Sequence, residues 1–273
     1  MFSDADPLPD GVLEEMAYLS RSENRLRILH VLTQHQYEPR ELAEETDVPR
    51  STLRRIVTEL VDRGWAERTI DGTYVATPVG ELLAAETDRY VGAIQAIQAL
   101  DSAVRWLPRE KLTIGLHHFQ DAIIVGPEQN EAVAPDTYAT EQLRDTTEFR
   151  NLTNIAPTLG FEKVLHDGVL EGPLSTEHVV TPGVISYLCT DVERQDRWQQ
   201  YLDAGADLYL YDGQIPCNLF ILDETVFLAK QQLEGLEYIE VLNEEVFAWA
   251  ERMIDMYQED AERLTVVRPV EDR

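Results

Sequence analysis

Between residues 22 and 77 the apolar side chains repeat three times at helical spacing and then alternate. That order constrains the fold more than any other feature of the chain. Leu26, Ile28, Leu29, Val31 and Leu32 mark a first helix over 22–35, with Ser22 as N-cap and Arg25 and Arg27 facing outward. Pro39 opens a short second helix through Thr46, with Leu42 and Ala43 on its buried side. Asp47-Val48-Pro49 makes a tight break. A third helix runs from about Arg50 to Arg63, where Gly64 stops it, and Leu53, Ile56, Val57, Leu60 and Val61 share one face. Trp65–Ile70 and Thr73–Thr77 are β-prone runs joined by Asp71-Gly72, a two-residue hairpin signal.

Helix, helix, turn, helix, hairpin is the order of a winged helix-turn-helix. The third helix turns Ser51, Arg55, Thr58 and Asp62 away from its core residues, with Arg54 beside them and Arg50 and Thr52 in its opening turn. Such a helix presents its N-terminal residues to base edges in the major groove, where arginine can bond guanine bidentately. Ser and Thr hydroxyls reach bases or phosphates. The hairpin adds Arg68, with Thr69 and Thr73 nearby, for backbone or minor-groove contact, while Asp71 serves the turn. Arg25 and Arg40 are either flanking phosphate contacts or plain surface residues.

Charge sharpens this reading. The chain has 51 acids and 23 bases, and only Lys111, Lys163 and Lys230 are lysines. Acid excess with scarce lysine suits a protein kept soluble in concentrated salt, which points to a halophilic source. Yet residues 21–80 hold nine arginines against ten acids, close to neutral, whereas 81–273 hold 14 bases against 36 acids. DNA phosphate is the simplest reason for that local neutrality. A net charge of −28 repels DNA, so readout must rest on direct contacts rather than on a basic field, and affinity should depend weakly on salt.

After Pro78 the pattern is helical to about Leu107, with Leu83, Tyr90, Ile97 and Val104 every seven residues and Ile94 and Leu100 beside them. The stripe suits pairing of two subunits or packing on the chain's own domains. Beyond Pro108 the reading is a strand at Lys111–Leu116, an irregular region around Pro127–Pro135, a helix over Thr140–Phe149 and another from near Asn151. Strands follow at Val184–Thr190, Asp207–Asp212, Leu219–Asp223 and Val226–Lys230, with a helix at Asp191–Ala204 and a closing helix at Glu244–Leu264. The expected class is α+β: a winged helix-turn-helix, a long linker helix and a mixed α/β domain. The expected domains are an acidic segment 1–20, the DNA-binding unit 21–78, a linker and dimerisation helix 79–107, the sensor 108–265 and a tail 266–273.

Catalytic and metal motifs are absent from the sequence. His117-His118, read as part of a strand, would point to opposite faces. His166 and His178 lack zinc spacing, and His30 and His35 read as packing or surface residues, so neither metal nor cofactor is expected. Cys189 and Cys217 form no evident framework. No apolar run is long enough for a membrane span, and the acidic N-terminus lacks signal-peptide features, so a cytoplasmic location is expected. Tyr211, Pro216, Cys217 and Asn218, in a loop between two expected strands, are candidates for lining a ligand pocket.

The run Leu42-Ala43 … Val48-Pro49-Arg50-Ser51-Thr52-Leu53-Arg54-Arg55 … Leu60-Val61-Asp62-Arg63-Gly64 resembles the helix-turn-helix of archaeal regulators. It is closest in kind to haloarchaeal ones whose C-terminal sensor is similar to that of methanogenesis regulators. Asp207–Lys230, Phe247-Ala248-Trp249-Ala250-Glu251 and Tyr257 carry the second part of the resemblance. Pro49 departs from the pattern by standing where a capping Ser or Thr is usual. The resemblance implies a ligand-responsive, DNA-binding transcription regulator, a homodimer, and not an enzyme. Such sensors are also similar to phospholipase D-like folds, but none of His117, His166 and His178 has the Lys two positions on that those hydrolases need. A winged helix reused for docking a protein partner is the competing class.

Overall fold

The computed structural model describes residues 11–126, 134–232 and 235–269, so most of the irregular region expected at Pro127–Pro135 lies outside the described residues. The chain divides into two compact units between Tyr90 and Val91.

The first unit holds α1 (Val12–Ser20), α2 (Glu23–Gln34), α3 (Pro39–Thr46), α4 (Arg50–Asp62), β1 (Ala66–Arg68), β2 (Tyr74–Ala76) and the start of α5 (Pro78–Leu100). Helix α1 carries no signal used above, yet Tyr18 and Leu19 enter the same core as Ile28, Leu32, Leu42, Ile56 and Leu60. Ser22 occupies the N-cap of α2 but its side chain caps nothing. Asp47 ends α3 with φ 52°, and Gly64 follows α4 with φ 73°, so the two breaks fall where the sequence places them.

The hairpin is tighter to its strands than expected. Thr69 N donates to Thr73 O at 2.9 Å and Gly72 N to Thr69 O at 3.0 Å, with Gly72 at φ 86°. This is a three-residue loop, Ile70-Asp71-Gly72, rather than a two-residue Asp-Gly turn: a turn followed by a left-handed glycine. Tyr37 extends the hairpin by one bridge, exchanging backbone bonds of 3.0 and 2.8 Å with Tyr74.

The α-helix of the linker stops at Leu100, short of Leu107. Asp101 takes φ 42° and the chain continues as a 3-10 turn through Arg105, which removes Val104 from the heptad stripe.

The second unit contains β3 (Ile123–Val125), α6 (Pro135–Arg144), β4 (Glu148–Thr153), α7 (Leu159–Leu170), β5 (Ser175–Val180), α8 (Pro182–Leu188) and α9 (Val192–Asp203). There follow β6 (Asp207–Leu210), β7 (Asn218–Leu222), β8 (Thr225–Gln232), β9 (Gly235–Val241), α10 (Glu244–Glu259) and β10 (Glu262–Arg263). One sheet runs β10-β6-β5-β4-β7-β8-β9-β3, with β4, β5 and β6 parallel and the other pairings antiparallel. The mixed class expected from the sequence holds.

Several elements differ in kind from their expectation. Lys111–Leu116 is not a strand, and Val184–Thr190 falls on helix α8. Phe149 and Asn151, expected at the end of one helix and the start of the next, belong to the central strand β4. The closing helix ends at Glu259, and the chain then adds edge strand β10.

Period-two alternation sorts the sheet into two faces. Leu152, Val179, Leu219, Ile221 and Leu228 pack with Trp249, Met253 and Ile254 of α10. Phe149, Val180, Leu208, Phe227 and Tyr238 pack with Leu143, Leu165, Ile185 and Trp198 of α6–α9. On the α10 face Arg150 bonds Glu177, Glu251 and Asp255, so the charge of a central strand is neutralised where it enters the core.

Candidate nucleic-acid interface and buried cavity

Helix α4 is held by Leu53, Ile56, Val57 and Leu60, all buried, and turns Arg50, Ser51, Arg54, Arg55 and Thr58 to solvent, with Thr52 half-buried. Thr58 Oγ1 donates to Arg54 O at 2.8 Å, leaving its lone pairs outward. Arg55 Nη1 donates to Glu59 Oε1 at 2.8 Å. Among the described residues Arg50 and Arg54 make no ion pair, so their guanidinium groups are open to a new partner.

Glu59 is shared. Tyr18 Oη donates to its Oε2 at 3.0 Å, and Arg25 Nη2 lies 3.4 Å from the same oxygen. Both the Arg25 and Arg63 guanidinium carbons lie over the Tyr18 ring, 3.9 and 4.0 Å from its centroid, and Arg63 pairs with Glu15. Arg25 therefore does not face outward as expected. Its side chain is 16% exposed and its Nη1 donates to Tyr18 O at 2.7 Å, which takes it out of the set available for phosphate. Burial, then the Glu59 bond, push the Tyr18 phenol up to about 12. Burial opposes ionisation of Glu59, but hydrogen bonds from Tyr18 and Arg55 prevail and lower its pKa.

In the hairpin Arg68 Nε donates to Gly72 O at 3.4 Å, its guanidinium lying over the Tyr74 ring. Thr73 Oγ1 lies 2.7 Å from Thr69 Oγ1 and 3.3 Å from Gln36 Oε1. Ile70 forms the tip with its side chain fully exposed. The hairpin offers arginine and hydroxyl groups beside an apolar point. Arg40, on α3, pairs with Glu44 at 3.2 Å.

In the second unit the loop candidates have structural neighbours. Tyr211 packs edge-on against Tyr257, ring centroids 4.9 Å apart, and Cys217 is buried in the α10-side core, its thiol pushed up to about 12 by burial. Asn218 is occupied on both sides of its amide. Oδ1 accepts from Thr153 Oγ1 at 2.9 Å and Asn154 N at 2.8 Å, and Nδ2 donates to Ala229 O at 3.2 Å. None of these residues, nor Pro216, lines the partly open cavity on the face of the sheet that carries Thr153 and Phe220, although Asn218 shares that face.

That cavity, of about 50 Å³, lies against the C-terminal ends of β4 and β5, under α6, α7 and α8. Asn151, Thr153, His178, Phe220 and Tyr238 reach it by the alternation of their strands. His178 Nε2 meets Tyr201 Oη at 2.8 Å, and Tyr201 Oη donates to Thr176 Oγ1 at 2.6 Å. Burial holds His178 neutral, its pKa lowered to about 3. Two buried oxygens have no partner in the protein, Asn151 Oδ1 and Asp136 Oδ1. Burial raises the pKa of the Asp136 carboxyl. The site is not legible in the sequence because Asn151 and His178 meet only through sheet register and Asp136 joins them only through the packing of α6 on the sheet.

Beyond Leu165 and Trp198, an open groove of about 360 Å³ is lined by Glu162, Lys163 and Arg197. Arg194 bonds Glu162 at 3.1 Å there. His117 and His118 lie in a 3-10 turn with ring centroids 3.9 Å apart, not on opposite faces of a strand. His30 Nδ1 lies 3.0 Å from Asp88 Oδ2, and His35 stacks on Tyr37. Among the described residues no three His, Cys, Asp or Glu side chains gather as a metal site, and no helix is long and apolar enough to cross a membrane.

Residues 13–99 match the family model described as HVO_A0261 N-terminal domain, and residues 133–260 match that of Methanogenesis regulatory protein FilR1, middle domain. The first matched segment carries α1–α4, the hairpin and most of α5, and the second, similar to a domain of a regulatory protein, carries the cavity. Among solved structures, the archaeal chromatin protein TrmBL2 is 16% identical, covers 92% of this chain and 99% of its own, and has a TM-score of 0.42. A phospholipase D family member, Nuc from Salmonella typhimurium, is 9% identical over 52% of this chain and 98% of its own, also at 0.42. At such scores neither likeness bears on activity. No curated protein matches the chain.

Proposed function

We infer that this protein is a cytoplasmic, homodimeric transcription regulator that reads a roughly two-fold DNA site with α4 and answers to a small molecule held in its second unit. The observation that carries the reading is α4 itself. A helix fixed by four buried aliphatic residues turns Arg50, Ser51, Arg54, Arg55 and Thr58 outward, behind a left-handed break and ahead of a hairpin bearing Arg68 and Thr73. The regulator-family matches support it. Base edges and phosphates are the partners that such a row of arginine and hydroxyl groups satisfies.

Helix α5 supplies the dimer seam. Leu83 packs against the first unit's own core, but Tyr90 and Ile97 are 57% and 48% exposed, and Val79 and Ile94 fall on the same side at helical spacing. A second copy of the chain would cover them. The same helix runs from the first unit into the second, so a ligand that prefers one arrangement of the paired helices shifts DNA affinity by that preference.

The test is binding of promoter fragments by the wild-type protein and by Arg54→Ala/Arg55→Ala. The double variant should lose affinity for the best site by roughly 30- to 20,000-fold, at about 1–3 kcal/mol for each of the two base contacts. Equal affinity of the two proteins would remove α4 from the readout. Retention of a protein partner without any DNA enrichment would favour the docking-module reading.

A further inference from the structure

The geometry points to the cavity under α6, α7 and α8 as a binding site for a small organic ammonium ion, an alkylamine of a few carbons whose N–H groups donate to Asp136 and Asn151. This rests on the ligand-responsive reading above and gives it a site and a ligand chemistry.

Three observations converge on that occupant. The first is the pair of unpartnered acceptors. Asp136 Oδ1 on α6 and Asn151 Oδ1 on β4 are buried without a hydrogen bond, and both residues line the one space. Native proteins rarely leave such oxygens unsatisfied, because each forfeits its hydration. The Asn151 amide could be turned, but a carboxylate oxygen has no alternative identity, so Asp136 requires a donor.

The second is that no lining group donates to it, although the Tyr238 phenol and the Thr158 hydroxyl line the same space. His178 is committed to Tyr201, and Thr153 gives its proton to Asn218. No Lys or Arg is among the described lining residues, and Asp136 is the sole acid. Asp136 is half-buried, with Oδ1 shielded and no cation beside it among the described residues, and such a carboxylate favours a cationic donor over a neutral one. Water satisfies the oxygen but not the charge. The rest of the wall is apolar and includes Phe161, Trp198, Phe220 and Tyr238, whose ring faces favour an ammonium over an anion.

The third is size and place. A space of about 50 Å³ exceeds what one water needs and is smaller than the roughly 150 Å³ of a cavity that takes benzene, so the body is a short alkyl chain. The site lies at the C-terminal ends of β4 and β5, where β4 is flanked by a parallel strand on one side and an antiparallel one on the other. Ligands of open α/β sheets collect outside the carboxyl ends of the parallel strands, which is where this space lies.

The experiment is calorimetric titration of the intact protein, at fixed salt, with ethyl-, propyl- and butylammonium, and with propanol and propionate as matched controls. Saturable ammonium binding in the micromolar to millimolar range is expected for so few heavy atoms. Propanol should bind at least ~10-fold more weakly, propionate not at all, and Asp136→Asn should lower ammonium affinity ~10- to 100-fold, as loss of a charged hydrogen-bond partner does. Absence of saturable ammonium binding, parity with propanol, or unchanged affinity in folded Asp136→Asn would overturn the site. If that variant does not fold, the wild-type ammonium-to-propanol ratio decides alone. Ammonium binding that leaves DNA affinity unchanged supports this site and defeats the regulatory reading. A different metabolite shifting DNA affinity while no amine binds does the reverse.

Discussion

Tyr18 Oη donates to Glu59 Oε2 at 3.0 Å, joining helix α1 to the outward-facing helix α4 across 41 positions of sequence. Glu59 receives Arg55 on its other oxygen and Arg25 on the same one. A carboxylate on α4 thus couples the packing of α1 to the posture of Arg55 on the exposed face of α4.

Substitution at Tyr18 separates the bond from the ring. Tyr18→Phe should cost roughly 1 kcal/mol, the net worth of one hydrogen bond. Tyr18→Ala also removes the ring under Arg25 and Arg63 and should cost about 3–5 kcal/mol. Urea unfolding monitored by fluorescence of the neighbouring Trp65 reads both, and equal costs would deny the bond its role.

Glu59→Gln should raise DNA affinity. It releases Arg55 from an ion pair and removes a negative charge from the helix placed toward phosphate. A gain of about 3- to 10-fold at low salt, shrinking as salt rises, is the expected result in a filter-binding assay.

Acid should destabilise the second unit through His178. Its folded pKa of about 3 lies below the ordinary value of 6.5, so the unfolded chain binds the proton first as pH falls. Stability is fully present above about 6.5 and declines by about 1.4 kcal/mol per pH unit toward 3. The first unit loses stability in the same direction through Glu59, because its pKa is lowered and its contribution goes as pH falls through the carboxylate range. His178→Gln should flatten the slope of melting temperature against pH between 6.5 and 4.

Gly80→Ala should disrupt the junction of hairpin and helix. A Cβ there would stand 1.9 Å from Trp65 O, a backbone atom that cannot rotate away. Thr77 Oγ1 holds the same turn, accepting from Gly80 N at 3.1 Å and donating to Gly64 O at 2.7 Å. A loss of about 3 kcal/mol is expected, with the first unit melting earlier by calorimetry.

Asn218→Ala should cost about 3 kcal/mol or more, since it orphans Thr153 Oγ1, Asn154 N and Ala229 O at one stroke. Asn218→Asp keeps the two acceptor bonds and loses the one donated to Ala229, and should cost less.

The helix-turn-helix was readable because each of its helices carries its own apolar stripe and its own stop. Leu53, Ile56, Val57 and Leu60 declare one face without reference to the rest of the chain. The hairpin loop was misjudged by one residue because Asp71-Gly72 fits two turn geometries, and the Tyr37 bridge decides nothing locally. In the second unit Val184–Thr190 is β-branched and aromatic, yet Thr181-Pro182 starts a helix there, and so short a run has no period to arbitrate. Strand β4 hid for the opposite reason. Its Arg150 and Asn151 look wrong for a central strand, and only α10 and the cavity, distant in sequence, give them company. Helix α1 was hidden behind its acidity, its hold on the core resting on Tyr18 and Leu19.

Asp101 sets a length as well as a bend. By turning left-handed it ends α5 after Leu100, so the exposed stripe from Val79 to Ile97 extends only about 27 Å. Sustained coiled-coil pairing takes three or four heptads, and the seam proposed for α5 has fewer. Two copies joined by so little would part readily when free and be held together by the operator beneath them. Occupancy would then climb with the square of protein concentration, turning a graded supply of regulator into a sharper threshold at the promoter.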